Sequence, residues 1–182
     1  MTSIDPASMV RVAQESGRSK CAELVLRNHL GAYAGVSTSV VPGSPAYVGT
    51  LALSFTRDFG GLALRGRASI SSFDSRQDVY RSSLLRAGAN VDGLVSLPLL
   101  SRVLIQLGPT LCVPMLRQHD MRGVVTSSFG FSYGGVAAVS TRLYGRTSIS
   151  LNLDGGGEIF RLDGRIVHRA AGSALAGALV AF

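Results

Sequence analysis

The sequence predicts an all-β chain: a β-sandwich or barrel with a long amphipathic β-hairpin contributing to an oligomeric barrel, preceded by a short N-terminal helix. Three observations predict it. From about Leu24 to Phe182 the apolar residues recur with a period of two, the repeat of a strand with two different faces. The alternating runs, such as 30–40 and 47–57, are far longer than the roughly five to six residues usual for globular strands. The chain is also apolar yet charge-poor, 46% hydrophobic and 16% charged with a mean hydropathy of +0.30. That composition excludes a disordered chain and a solvated coiled coil. Its 182 residues suit one domain, or one domain with an arm.

The arm is residues 1–22. Within it, 4–17 reads as a helix: Asp5 can cap it, Pro6 suits the first helical position, and Gly17 follows the last periodic residue. Residues 23–182 form the all-β domain. In 30–40, Leu30, Ala32, Ala34 and Val36 share one face, and Gly31, Tyr33, Gly35 and Ser37 the other. A Val41-Pro42-Gly43-Ser44-Pro45 turn ends that run. In 47–57, Leu51, Leu53 and Phe55 alternate with Ala52, Ser54 and Thr56. After Asp58-Phe59-Gly60-Gly61, Leu62, Leu64, Ala68 and Ile70 oppose Ala63, Arg65, Arg67 and Ser71; then Leu85, Ala89, Val91 and Val95 oppose Arg86, Gly88, Asn90 and Asp92. Residues 62–97 make one long hairpin, and 62–108 is the candidate pore-forming segment. Further strands are expected at 103–115, 124–133, 143–153 and 166–182, with Leu162-Asp163-Gly164-Arg165 as a two-residue hairpin turn. Asp154-Gly155-Gly156-Gly157 precedes no helix and reads as a bulge or turn, and 107–110 as a strand kink.

The charge is lopsided. Eighteen Lys and Arg against eleven Asp and Glu give a net charge of +7, and Lys20 is the only lysine. An arginine surplus can echo a GC-rich genome, or it can face an anion, a phosphate or a lumen. Arg65, Arg67, Arg86, Arg142 and Arg146 fall on the polar face, where among strand-interior positions only Asp92 offers an opposite charge. A narrow single-chain barrel would have to desolvate those guanidinium groups with too few carboxylates. The expectation is therefore a wide wet lumen shared between subunits, or an open surface facing an anionic partner.

No enzyme chemistry is expected, and no cofactor or metal. His29, His119 and His168 stand in no hydrolase or ligand spacing, and Cys21 and Cys112 follow no metal or redox pattern. No stretch approaches the roughly 18 apolar residues of a membrane helix. The first residues lack the basic, apolar and small-residue succession of a signal peptide, so the expectation is a chain that is not exported, or one whose leader lies outside this numbering.

The run Val41-Pro42-Gly43-Ser44-Pro45-Ala46-Tyr47-Val48-Gly49-Thr50-Leu51-Ala52-Leu53-Ser54-Phe55 resembles the mycobacterial octameric porin family, the MspA-like porins. That family has a Pro-Gly turn, then an aromatic, then Gly-Thr-Leu-x-Leu-x-aromatic. Weaker echoes follow at Gly93-Leu94-Val95 through Leu107-Gly108-Pro109, and at Gly134-Gly135-Val136-Ala137. The resemblance implies a goblet of eight subunits, each with a rim sandwich and a hairpin that adds two strands to a shared barrel. It implies no catalysis, only passive diffusion of small hydrophilic solutes and ions. Where the family carries adjacent acids, this chain has Asp74, Arg76, Asp78 and Arg81, so a cation preference does not transfer.

Together these readings give a homo-oligomeric porin, an octamer under the resemblance, set in outer-membrane lipid. Arg65, Arg67, Arg86, Asn90 and Asp92 line the pore, Asp74, Arg76, Asp78 and Arg81 form the constriction loop, and anions are favoured. The alternative is a self-assembling viral shell or tube subunit, located in the virion, with its arginine face on nucleic acid. A single-chain outer-membrane barrel is the third reading, supported by the aromatic terminus at Phe182.

Overall fold

The computed structural model describes residues 28–41, 44–77, 80–119, 125–162 and 165–182, and for the strand ends beside the intervening gaps it describes the backbone alone. They form eight antiparallel strands: β1 Asn28–Val41, β2 Ser44–Asp58, β3 Leu62–Gln77, β4 Tyr80–Leu100, β5 Val103–His119, β6 Val125–Tyr144, β7 Thr147–Leu162 and β8 Arg165–Ala181. Each pairs with its neighbours in sequence, and β8 returns to β1, with His29 opposite Ala181 and Ser39 opposite Ala171. One chain thus closes an up-and-down barrel. No sheet edge is left for a neighbouring subunit's strands.

This corrects the expected architecture. There is no β-sandwich. The segment 62–108 is not a hairpin lent to a shared barrel; it is β3, β4 and the start of β5, consecutive staves of the chain's own wall. No helix occurs among the described residues, and the expected arm at 1–22 lies outside them. The period-two reading of the faces holds. Leu30, Leu51, Leu53, Phe55, Leu64 and Val91 are exposed on the outside, while Tyr33, Ala52, Ser54, Arg65, Arg67 and Asp92 are buried inside.

The two ends differ. The start of β1, the end of β8 and the turns at 59–61, 101–102 and 145–146 share one end, called here the terminal end. There Phe59 N–H donates to Leu62 O at 2.7 Å, closing a turn in which Gly60 and Gly61 have φ of 77° and 106°. Those are left-handed conformations that glycine adopts without strain. The opposite, hairpin end holds the β1–β2, β3–β4, β5–β6 and β7–β8 connections. Pairing of β7 with β8 runs out to Leu162 opposite Arg165, which leaves the two-residue connection expected there, although Asp163 and Gly164 lie outside the described residues.

Close strand approach explains the glycines. The Asp154–Gly157 run is neither bulge nor turn: the register with β6 continues through it, Gly134 opposite Gly156 and Tyr133 opposite Gly157. A Cβ at Gly134 would stand 2.2 Å from Gly155 O, and one at Gly156 2.0 Å from Tyr133 O. Only glycine lets the two backbones come that near. At 107–110, the site of the expected kink, the register with β6 runs on without a shift, and the glycine again serves close approach: a Cβ at Gly108 would stand 1.8 Å from Gly93 O.

Inside, Tyr33, Ala52, Leu175 and Leu179 form one apolar cluster and Ala63, Leu94 and Val136 another. Both are small, because most inward positions are polar. Gly177 makes room for Tyr33: a Cβ there would lie 2.2 Å from Ala32 O and 2.5 Å from the Tyr33 ring. Gly66 faces outward with nothing within 4 Å of its Cβ position. Gly177→Ala is therefore expected to destabilise the barrel by about 1–3 kcal/mol through overpacking, and Gly66→Ala to stay within about 0.5 kcal/mol, read from urea unfolding midpoints.

Candidate functional site

The barrel interior is a ladder of charged side chains that meet across the lumen. The central rung joins four strands. Arg65 Nε on β3 donates to Asp92 Oδ2 on β4 at 2.7 Å, and Arg65 Nη1 donates to Asn152 Oδ1 on β7 at 2.6 Å. Thr110 Oγ1 on β5 donates to the other Asp92 oxygen at 2.5 Å. Arg65 is 2% exposed, Asp92 0% and Asn152 1%. All three side chains of this rung are withdrawn from solvent.

Two further rungs lie toward the hairpin end. Arg67 Nη1 donates to Asp154 Oδ1 at 3.0 Å, and Ser173 Oγ on β8 lies 2.7 and 2.8 Å from the two Asp154 oxygens. Beyond them the buried Glu158 takes two cations: Arg86 Nη2 bonds Oε1, and Arg169 Nε donates to Oε2 at 2.9 Å. The Arg169 guanidinium also sits over the Phe160 ring, 4.4 Å from its centroid. At the terminal end His29 Nε2 is hydrogen-bonded to Asp58 Oδ2 at 2.9 Å, and Gln106 Nε2 donates to Ser96 Oγ at 3.0 Å.

The rungs divide the lumen into two cavities. One opens at the terminal end, where Thr56, Asp58, Ser96, Gln106, Ser140 and Arg142 are among its walls. The other lies on the hairpin side, between Arg67, Arg86, Asn90, Asp154, Glu158 and Ser173 among others. Between them stands the Arg65–Asp92–Asn152 rung, backed by Leu175.

Of the expected pore-lining residues, Arg65, Arg67 and Asp92 are buried inside, and Arg86 and Asn90 are half-buried on the same face. All five point into one barrel of one chain. Arg142 and Arg146, placed on the polar face by periodicity, lie at the terminal-end mouth. Asp74 and Arg76 belong to β3 and Arg81 to β4, and the side chains of all three, together with Asp78, lie outside the described residues.

The arginine count that spoke against a closed single-chain barrel fails on a specific point. It set the inward arginines against Asp92 alone, whereas Asp154 and Glu158 also point inward. Reading 154–157 as a turn hid them. Continuing the alternation through Ser150, Asn152, Asp154, Gly156, Glu158 and Phe160 recovers the inward face of β7. Arg169 was missed for a different reason: it lies within the expected strand 166–182, whose two faces were not assigned.

An apolar exterior around a polar, salt-bridged interior inverts a soluble fold, and it defines a lipid-facing β-barrel of the outer-membrane type. Phe55, Phe59, Tyr144 and Phe182 are exposed toward the terminal end, and Phe129 and Phe131 farther along the wall, as aromatic girdles bordering an apolar band. Comparison with solved structures agrees. The chain resembles Neisserial surface protein A (TM-score 0.69, 15% identity, covering 85% of this chain and 97% of that one). It also resembles Ail, the attachment invasion locus protein of Yersinia pestis (0.61, 12%, 86% and 98%), and a major outer membrane protein of Thermus thermophilus (0.53, 12%, 86% and 98%). No family model and no curated protein matches the sequence.

These likenesses, with the closed barrel, overturn the octameric porin resemblance: the shared motif marks a β1–β2 hairpin in a different fold. A viral shell or tube is likewise not favoured.

The central rung sets a direct energetic test. Asp92→Ala leaves Arg65 buried without its carboxylate and is expected to cost about 3–5 kcal/mol in urea unfolding, while Arg65→Met with Asp92→Leu together costs less than that single change.

Proposed function

We propose that this chain is a monomeric outer-membrane barrel that does not act as an open diffusion channel and instead serves as a rigid, lipid-embedded scaffold presenting its hairpin end to the outside. One observation carries this reading: the buried Arg65–Asp92–Asn152 rung spans the lumen from β3 to β7. An eight-stranded barrel has an interior only wide enough for side chains to fill. Here they fill it with ion pairs whose separation would leave buried charges uncompensated, so the rung does not open for passing solutes.

The orientation follows from general barrel design, in which short turns and termini sit on the periplasmic side. Along the hairpin half of the wall, the guanidinium groups of Arg117 and Arg161 face outward. Beyond the apolar band such cations meet a membrane surface rich in anionic headgroups. Among its structural neighbours, Ail is an attachment invasion locus protein that has been crystallised with the heparin analogue sucrose octasulfate. The outward cations support a comparable surface-contact role here, directed at anionic material.

Planar-bilayer recording with the purified, refolded protein tests the reading. The expected result is no reproducible conductance step. Regular steps, above all with an anion-selective reversal potential in a salt gradient, would overturn the sealed scaffold and restore an anion-favouring porin.

A further inference from the structure

The hairpin-side cavity borders guanidinium N–H groups that no described residue accepts from. Its walls include the guanidinium groups of Arg67 and Arg86 and the carboxylates of Asp154 and Glu158, while Arg169 reaches Glu158 from outside the lining. Glu158 is shared by two of those cations. Among the other described acids, Asp92 is already engaged on both oxygens by Arg65 and Thr110, and Asp58 is paired with His29 at the opposite mouth. Arginine cannot shed its proton to relieve an unmet donor.

Six buried side-chain atoms of the described residues have no hydrogen-bond partner: Ser54 Oγ, Asp58 Oδ1, Arg65 Nη2, one on Arg169, and two on Arg67, whose side chain lines this cavity. Arg67 is 5% exposed, yet its Nε and Nη2 have no hydrogen-bond partner; the buried Nη2 of Arg169 has none either. A buried donor without an acceptor is costly, and for a charged donor the cost is larger. The cavity walls are otherwise hydroxyl- and amide-bearing, with Thr50, Asn90, Thr110 and Ser132 among them.

We propose that this cavity is a binding site for a small oxyanion of the phosphate or sulfate class, held by Arg67 and completed by Arg86. A tetrahedral oxyanion offers several acceptor oxygens at once and suits the forked geometry of a guanidinium, which a spherical chloride does not. The bound anion accepts from the free Arg67 N–H groups. It makes the barrel's stability depend on oxyanion concentration.

Asn90 gives the test. It stands directly opposite Arg67 in the β3–β4 register and lines the cavity. Asn90→Asp preserves shape and places a fixed carboxylate about 4.5–5.5 Å, Cβ to Cβ, from Arg67. The thermal midpoint of the refolded full chain is measured with increasing sodium sulfate and sodium phosphate against sodium chloride at matched ionic strength. The unaltered protein is expected to gain roughly 5 °C, saturating, in either oxyanion and not in chloride. N90D is expected to start higher and to show only the shallow, unsaturating rise that sulfate gives any protein. An equal, unsaturating response in both proteins overturns the site. Calorimetric titration of the unaltered protein with sulfate is independent of how N90D behaves: saturable one-site heat supports the proposal, and its absence overturns it.

Discussion

Everything in this barrel depends on one geometric constraint: closing eight strands leaves an interior too narrow for water to solvate the side chains that point into it. Charges at the centre of the barrel are therefore met chiefly by partners within the chain. Arg65 engages Asp92 and Asn152 together, and Asp92 in turn uses both oxygens. The partners come from β3, β4, β5 and β7, so the rung braces opposite walls as well as neighbouring ones. With polar groups committed to the inside, the apolar residues of every strand are left on the outside. An exterior that exposes Leu51, Leu53, Leu64, Leu111 and Val113 is at rest in lipid, which requires that backbone groups be paired within a closed barrel.

The wall is legible in the sequence because its signal is local. Period-two alternation needs only residues two apart, and it gives the correct face for Leu30, Leu53, Arg65, Arg67 and Asp92. The interior is not legible, because its signal is long-range. Arg65 and Asn152 are separated by 87 residues, as are Arg67 and Asp154, and no local pattern pairs them. The glycine run compounds this. Gly155, Gly156 and Gly157 look like a break in β7, but they are where β6 and β7 press together, and the break hides Asp154 and Glu158 on either side.

The hidden acids decide the assembly as well. With Asp92 as the lone acid, the arginines demand a wide lumen, and a wide lumen demands several subunits. The motif around Val41–Phe55 then supplies a family built that way. An alternating Gly-Thr-Leu-x-Leu stretch after a Pro-Gly turn is what a lipid-facing hairpin needs in any barrel, whether eight strands come from one chain or many from a ring. Counting the carboxylates decides between those cases where the motif does not.

The interior carries the function as well as the fold. The buried central rung lies between a terminal-end cavity and a hairpin-side one whose walls carry two arginines and two carboxylates, and it is this rung that supports the proposed closed scaffold. Hydrogen exchange at the arginine Nε–H groups, followed by nitrogen-15 NMR of the protein in detergent, measures the seal itself. The account predicts a slowly exchanging Arg65 Nε–H, protected by its bond to Asp92, beside fast exchange at Arg142 and Arg146 of the open mouth. Arg65 exchanging as fast as those two would show water passing freely through the lumen and would contradict the central claim.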